Sequence, residues 1–544
     1  MSSRNVRATL SLSVFLLVAA VSAAAQSFRV QCPTSTITHP SSLTNVNAEP
    51  QYTGPTRLAA PSASTFQAPT GNVNGAIKCQ QISGGDGYAT MGDGTQTYMF
   101  SFGPLSGLAS IAKGLPGTQF PNVFNTIYGN TFVPGDPATT DGASEATGYT
   151  VGDVNAFTFD GAVGLATDAD AAADGSCTGS CLTGHVDPRP IMDVGVMNGN
   201  IPAPLMAIDE DDEFFLTLSN VGMIMRPDLF EQHTIHFHGY PNASSFYDGV
   251  PDASVAINIG GSFTYYYLAP DAGTYFWHCH ITPPEHLQMG MVGQIYVRPR
   301  QDRVSGDLYQ ALRLQEGDLR TTCNPAADIL CTNPLPAINT GATGNAKVLE
   351  GGTSGYAYND GDGSTYYDVE YPLQIHGFDP NFHFVGMTFN PEGFADMKDK
   401  YFLLNGRSYP DTVSSGPMAT QSADGVSHFS QPMTSIINIP AGGRALLRIS
   451  DLDVSEYQTL ASLGIPMTVI GYNAKLLRDQ DGNNLYYKTN SITLGGGESL
   501  DVILDARDPK YQSGQVFYLY TPNLDHLAND AENFGGLMTE VRIN

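Results

Sequence analysis

Positive charge is scarce in this chain. Lys and Arg number 25 against 53 Asp and Glu, a formal net charge of −28. Nucleic acid is thereby excluded as a partner, because phosphate binding depends on clustered cations. The same balance favours cationic or neutral small molecules and metal ions at the surface. Long apolar runs are equally few. The one from Leu10 to Ala20 follows Arg4 and Arg7 and precedes Ala23-Ala24-Ala25-Gln26. That is the pattern of a cleavable secretory signal over residues 1–25, so an exported protein, periplasmic or extracellular, is expected. No later segment is long or apolar enough for a membrane span.

Histidine is also sparse, twelve in all, yet six stand between His233 and Met291 together with the only tryptophan, Trp277. A chance scatter would put about one or two histidines in such a window, so composition alone suggests a ligand cluster. The window opens with HTIHFHG and closes with WHCHITPPEHLQMGM. Both runs read as strands, on which successive side chains point to opposite faces. His236 and His238 therefore share one face, and His278 and His280 another. Cys279 and His233 point the other way. Two sets of ligands result. His233, Cys279, His286 and a nearby Met form the two-imidazole, one-thiolate, weak-thioether combination that suits an electron-transfer copper of the blue type. The second set is four imidazoles facing outward.

The pattern H-x-x-H-x-H-G, then H-C-H, then H-x-x-x-x-M resembles the copper motifs of the multicopper oxidases. The resemblance implies type 1 ligands His233, Cys279, His286 and Met291, with Met291 preferred to Met289 by its spacing after His286. It implies a type 2 copper at His236 and a type 3 pair at His238, His278 and His280. Electrons from a small-molecule or metal-ion reductant would pass through Cys279 into its neighbours His278 and His280, and so to dioxygen. The seven-residue step from Cys279 to His286, with Pro283 and Pro284 inside it, is more similar to copper nitrite reductases. A nitrite reductase-like enzyme and a non-catalytic type 1 copper protein therefore remain alternatives.

Seven cysteines in an exported chain suggest disulfides. With Cys279 assigned to copper, Cys177 with Cys181 and Cys323 with Cys331 lie close enough for local bridges. That leaves Cys32 for Cys79, one of 15 possible connectivities. Asp209 to Glu213, the densest acidic patch, reads as a solvated turn at a strand end. Asp360-Gly361-Asp362-Gly363 and Asp479 to Asn483 read as hairpin turns. Asn242-Ala243-Ser244 matches a glycosylation sequon at chance level.

The expected fold is all-β, with two Greek-key sandwiches of the cupredoxin type that the resemblance implies. An extended arm or linker fills 26–75. The copper-binding domain spans 76–300, with a first strand near Thr97 to Phe102 and an insertion at about 104–190. A linker follows over 301–346, with a short helix near Tyr309 to Gln315, and then a second domain over 347–544. The run Gly514 to Tyr520 echoes Gly273 to Trp277, but Thr521-Pro522-Asn523 replaces His278-Cys279-His280. The second domain is thus expected to hold no type 1 copper. Its histidines, His376, His383, His428 and His526, read as surface or hydrogen-bonded residues. The four outward imidazoles of the first domain need a partner surface, which points to a homo-oligomer such as a trimer.

Overall fold

The structure is a computed structural model. It describes residues 30–40, 49–60, 67–107, 116–124, 165–167, 182–186, 191–192, 195–239, 245–269, 271–314, 334–344, 354–386, 393–423, 425 and 427–544. The signal segment, Cys177, Cys181, Cys323, Cys331, the Asn242 sequon and much of the 104–190 insertion lie outside them.

The first half is a sandwich of two four-stranded sheets. One sheet takes the order β6-β4-β1-β2, where β1 is Ile77–Thr90, β2 Gln96–Pro104, β4 Glu213–Gly222 and β6 Ser262–Leu268. The other runs β3-β8-β7-β5, from β3 (Met206–Asp209), β5 (His236–Phe237), β7 (Gly273–His278) and β8 (Val292–Arg298). Alternation builds the core. On β4, Phe214, Leu216 and Leu218 point into the sandwich, packing with Phe100, Phe102, Tyr265 and Trp277. The intervening Phe215 packs with Val30, Cys32, Cys79 and Phe124 on the outer face. That face is covered by the N-terminal arm, pinned by a Cys32–Cys79 disulfide and by His39 Nδ1 at 2.7 Å from Glu213. The pairing of Cys32 with Cys79 was the one left by elimination.

The strand expected near Thr97 to Phe102 is β2. The longer β1 beside it was not anticipated. The expected linker helix is Leu308–Arg313. The acidic run is no solvated turn: Asp209 to Glu213 are all buried. Lys78 Nζ lies 2.9 Å from Asp209, 3.4 Å from Asp212 and 3.0 Å from Glu49. Arg300 pairs with Asp211 at 2.6 Å and Glu210 at 3.3 Å. Buried carboxylates require such partners, and with an ammonium among Glu49, Asp209 and Asp212 this acidic group is an ion-pair hub.

The second half repeats the topology. One sheet includes β14-β16-β12-β9-β10, from β9 (Val369–Phe378), β10 (Tyr401–Leu404), β12 (Arg444–Asp451), β14 (Met467–Tyr472) and β16 (Ser499–Asp505). The other is β11-β18-β17-β13-β15, from β11 (Ile437–Ile439), β13 (Gln458–Leu463), β15 (Ser491–Leu494), β17 (Val516–Tyr520) and β18 (Met538–Ile543). In both halves a parallel pair sits inside each sheet: β1 with β4 and β3 with β8, then β9 with β12 and β11 with β18. The chain is therefore all-β, two cupredoxin-like sandwiches. Each has its own core, around Trp277 in the first and Leu373, Leu447, Val469 and Val502 in the second. The halves share apolar contacts, Phe276 and Leu287 with Leu452, and Met99 with Phe378 and Tyr401. Thr274 Oγ1 also donates to Asp501 at 2.7 Å.

Candidate metal centre

Cys279 follows the end of β7, where its N–H still donates to Met291 O at 3.1 Å. Pro283 and Pro284 explain the long step to His286, because proline is tolerated in a helix's first turn. They open helix α1 (Pro283–Met289), which carries His286 back toward Cys279. Its N-cap, Thr282, has φ 37° and makes no side-chain capping bond.

His233, Cys279 and His286 come together with one donor atom each, all within 4.8 Å of one another. His286 Nδ1 lies 3.2 Å from Cys279 Sγ and His233 Nδ1 lies 3.9 Å from it. All three are 0% exposed. The Thr234 N–H points at the sulfur from 3.4 Å. Met291 is also buried: its terminal methyl and His233 Cδ2 lie 3.5 and 2.8 Å from where a Cβ on Gly84 would stand. The missing side chain on β1 thus makes room for the His233 ring.

Electrostatics favour a cation among these groups. Burial and the neighbouring His286 push the His233 pKa well below its usual value. Burial would lower His286 too, but the Cys279 sulfur and Glu231 outweigh it and raise His286 to about 9. Glu231 Oε2 stands 3.6 Å from His286 Nε2, within ion-pair reach but beyond a hydrogen bond. A thiolate with two converging Nδ1 atoms and a buried thioether nearby fits a copper ion of the blue type.

The second set faces away. His236 and His278 are directly paired across β5 and β7. With His238 they place donor atoms within 4.8 Å of one another, and the Nε2 atoms of His238 and His278 are 2.9 Å apart. His280 stands beside them, ring centroids 5.0 Å from His236 and 5.3 Å from His278. His236 Nδ1 meets Asp248 O and His278 Nδ1 meets Cys279 O, each at 2.6 Å, which sets the N–H on Nδ1 and a lone pair on each Nε2. Burial, and then the neighbouring imidazoles, lower His238 to about 4, and burial holds His278 well below its usual value. Both rings are neutral at pH 7, as metal ligands must be.

His238, His278 and His280 line a cleft of about 700 Å³. Its opposite wall is the second half of the same chain, including Asp453, Ser455, Glu456, Tyr457 and Glu498. No imidazole of that half lines it among the described residues. His376, His383 and His526 are buried and held by other groups.

Hydrogen bonding aligns the two halves residue by residue. Cys279 N donates to Met291 O and Met291 N to His286 O; Thr521 N donates to Leu537 O and Leu537 N to His526 O. His236 pairs with His278, and Ala461 with Tyr520. Gln458, three residues before Ala461, thus matches His233. The second half holds Gln458, Thr521, His526 and Leu537 where the first holds His233, Cys279, His286 and Met291. Tyr520 and Pro522 stand in place of His278 and His280, a one-residue correction to the register expected from the sequence echo. His526 Nδ1 lies 2.9 Å from Gln458 Oε1, a hydrogen bond where the first half gathers metal ligands.

The geometry agrees with what the chain resembles. The family described as multicopper oxidase matches residues 183–302. Laccase abr2 of Aspergillus fumigatus is 33% identical over 111 residues, 20% of this chain and 17% of that protein. Multicopper oxidase MmcO of Mycobacterium tuberculosis is 32% identical over 133 residues, 23% of this chain and 25% of that protein. The copper-containing nitrite reductase of Rhizobium meliloti is 35% identical over 114 residues, 20% of this chain and 27% of that protein. The chain thus spans only 17–27% of the length of these relatives. Both sets of ligand-spaced residues fall inside residues 183–302, the segment that is similar to the family described as multicopper oxidase.

Proposed function

We propose that this protein is an oxidoreductase that accepts electrons from a small-molecule or metal-ion reductant at a type 1 site of His233, Cys279, His286 and Met291. It delivers them to the face of His236, His238, His278 and His280. The observation that carries this reading is the convergence of two buried Nδ1 atoms on Cys279 Sγ, one peptide bond from each of two histidines on the other face. Copper, when bound, supplies one-electron oxidation of the reductant at the thiolate site and reduction of dioxygen to water at the histidine face.

The chain's own residues prepare both sites. Cys279 and the two Nδ1 atoms bind, the Thr234 N–H orients the sulfur, and full burial excludes water. The carbonyls of Asp248 and Cys279 hold His236 and His278 in the tautomers that keep a lone pair on Nε2, as ligand-orienting groups do. The acidic surface favours cationic or neutral reductants. Residues 76–300 would be the copper-binding domain with its insertion at about 104–190, 301–346 the linker and 347–544 the second domain. The Cys32–Cys79 disulfide supports export to an oxidising compartment, and no described helix is long and apolar enough to cross a membrane.

Among the described residues, a three-copper cluster finds imidazoles on one side only. Three imidazoles, His238, His278 and His280, line one wall of the cleft with His236 behind them, and the matching positions of the second half are Ala461, Tyr520 and Pro522. That observation favours a second reading, a single copper on His238 and His278 as the nitrite reductase-like alternative requires. A neighbouring copy in a homo-oligomer is the other source of ligands. Copper per chain, measured with visible and electron paramagnetic resonance spectra on the loaded protein, tests these readings. Near four coppers with a near-ultraviolet shoulder supports the oxidase, near two the single-copper face, and near one an electron carrier. No intense visible band would sink the type 1 assignment.

A further inference from the structure

A seven-residue helix with no side chain capping its start is a poor platform for a ligand. It leaves its last four carbonyls without partners inside the helix, and so short a helix is not stable by itself. Helix α1, which carries His286 and leads to Met291, is in this position. The Gly290 N–H caps His286 O and Leu287 O. Met291 N also donates to His286 O and Ser101 Oγ on β2 donates to Gly290 O, while the carbonyls of Leu287 and Gln288 are met by histidines of the second half.

His376 on β9 points its Nε2 at Leu287 O from 2.9 Å. His383, on helix α2 (Pro380–Gly386), sets Nε2 2.9 Å from Gln288 O and Nδ1 2.6 Å from Tyr98 O on β2. Its ring lies flat on Phe378 at 3.5 Å between centroids. The Gln288 amide is gripped as well, donating to Asp399 Oδ1 at 2.9 Å and accepting from Asp379 N at 3.0 Å. Gln288 and His383 are 0% exposed and His376 is 3% exposed. Three elements, α1, β2 and α2, therefore meet on one imidazole. Burial, opposed only in part by the two carbonyls, lowers His383 to about 3.

We infer that His376 and His383 are positioning residues for the metal centre: the second half of the chain, without a copper of its own, fixes the helix that presents His286 and Met291. This rests on the copper reading of those ligands. Locking a ligand through the groups behind it is how a protein sets a metal's geometry. It also gives a role to second-half histidines that the copper chemistry does not use.

The test compares the copper-loaded full-length chain with His383→Phe, His383→Gln and His376→Gln. The readings are copper content, visible and electron paramagnetic resonance spectra, midpoint potential and melting temperature. In H383F the ring stack on Phe378 is kept and both polar contacts are lost. Copper content should hold while the visible band and the potential shift. H383Q, which restores a donor, should return most of the shift. Loss of melting temperature alone, with spectrum and potential unmoved, overturns the inference. If H383F does not fold, H376Q, which exchanges a single contact, decides by the same readings. A wild-type chain that takes up copper without an intense visible band overturns the copper reading itself and this inference with it. A blue wild type with unmoved variants overturns the inference alone.

Discussion

The two halves of this molecule share a core strand order and a hydrogen-bond pattern, and they differ in chemistry at four matched positions. His233, Cys279, His286 and Met291 in the first correspond to Gln458, Thr521, His526 and Leu537 in the second, on the same hydrogen-bond pattern. Seven of these eight residues are 0% exposed, and His526 is 3% exposed. Burial and backbone therefore do not distinguish the two sets of positions. The donor chemistry does: a thiolate and two imidazoles ask for a cation, whereas an amide beside an imidazole satisfies itself with a 2.9 Å hydrogen bond. The second half has kept the fold and one ligand-equivalent histidine, and it contributes contacts to the first half's ligand helix instead.

The sharpest way to break this comparison is Cys279→Ser. The intense visible band should vanish, with turnover reduced by about a thousandfold or more, as removal of an essential redox ligand implies. A retained band would refute the assignment. The reverse experiment is the next largest. Gln458→His, Thr521→Cys and Leu537→Met together, with His526 left in place, should raise copper by about one per chain and add a second visible band, because the ligand set then matches the blue-copper combination. Unchanged copper content in a folded triple variant would mean that ligand identity is not sufficient on this scaffold.

The two groupings, His233 with Cys279 and His286 and His236 with His238 and His278, were legible because these residues lie within one window and strand alternation sorts them onto two faces. Cys32 to Cys79 followed by elimination, and the structure contains that bridge. β1 was missed because Gly84, Gly85 and Gly87 weaken a strand pattern. Two of them are required by contact: a Cβ at Gly84 would stand 2.8 Å from the His233 ring, and one at Gly87 2.6 Å from Gly199 O. The acidic run was misread because its partners Lys78, Arg300 and Arg303 are remote in sequence. The replacement of His233 by Gln458 was invisible for a similar reason. The motif echo stops at β17, and only the ladder between β13 and β17 identifies the matching residue.

His286 and His526 sharpen the comparison at a smaller scale. They occupy the same place in the ladder, but His286 faces Cys279 Sγ, whereas His526 faces Gln458, reaches Glu456 at 3.1 Å and stacks on Phe402 at 3.8 Å. His286→Ala should abolish the visible band. His526→Ala should leave the spectrum untouched and cost about 2 kcal/mol, the penalty for leaving the buried Gln458 Oε1 unpaired while its NH2 keeps Asp453, read as a lower denaturant midpoint. A change in the copper spectrum on losing His526 would mean that the second half retains a metal function.

The smallest effect belongs to the position that matters most in the first half. Thr521 stands where Cys279 stands and is as fully buried, yet its hydroxyl has one modest role, accepting from Asn523 N at 3.2 Å. Thr521→Val keeps the shape and removes that acceptor. The expected cost is about 1 kcal/mol, the value of a single ordinary hydrogen bond, with copper content and visible spectrum unchanged. A loss several times larger would show that the hydroxyl supports more of the second core than its single bond suggests. A matching cost would show that the same buried position tolerates a change of donor atom once no metal depends on it.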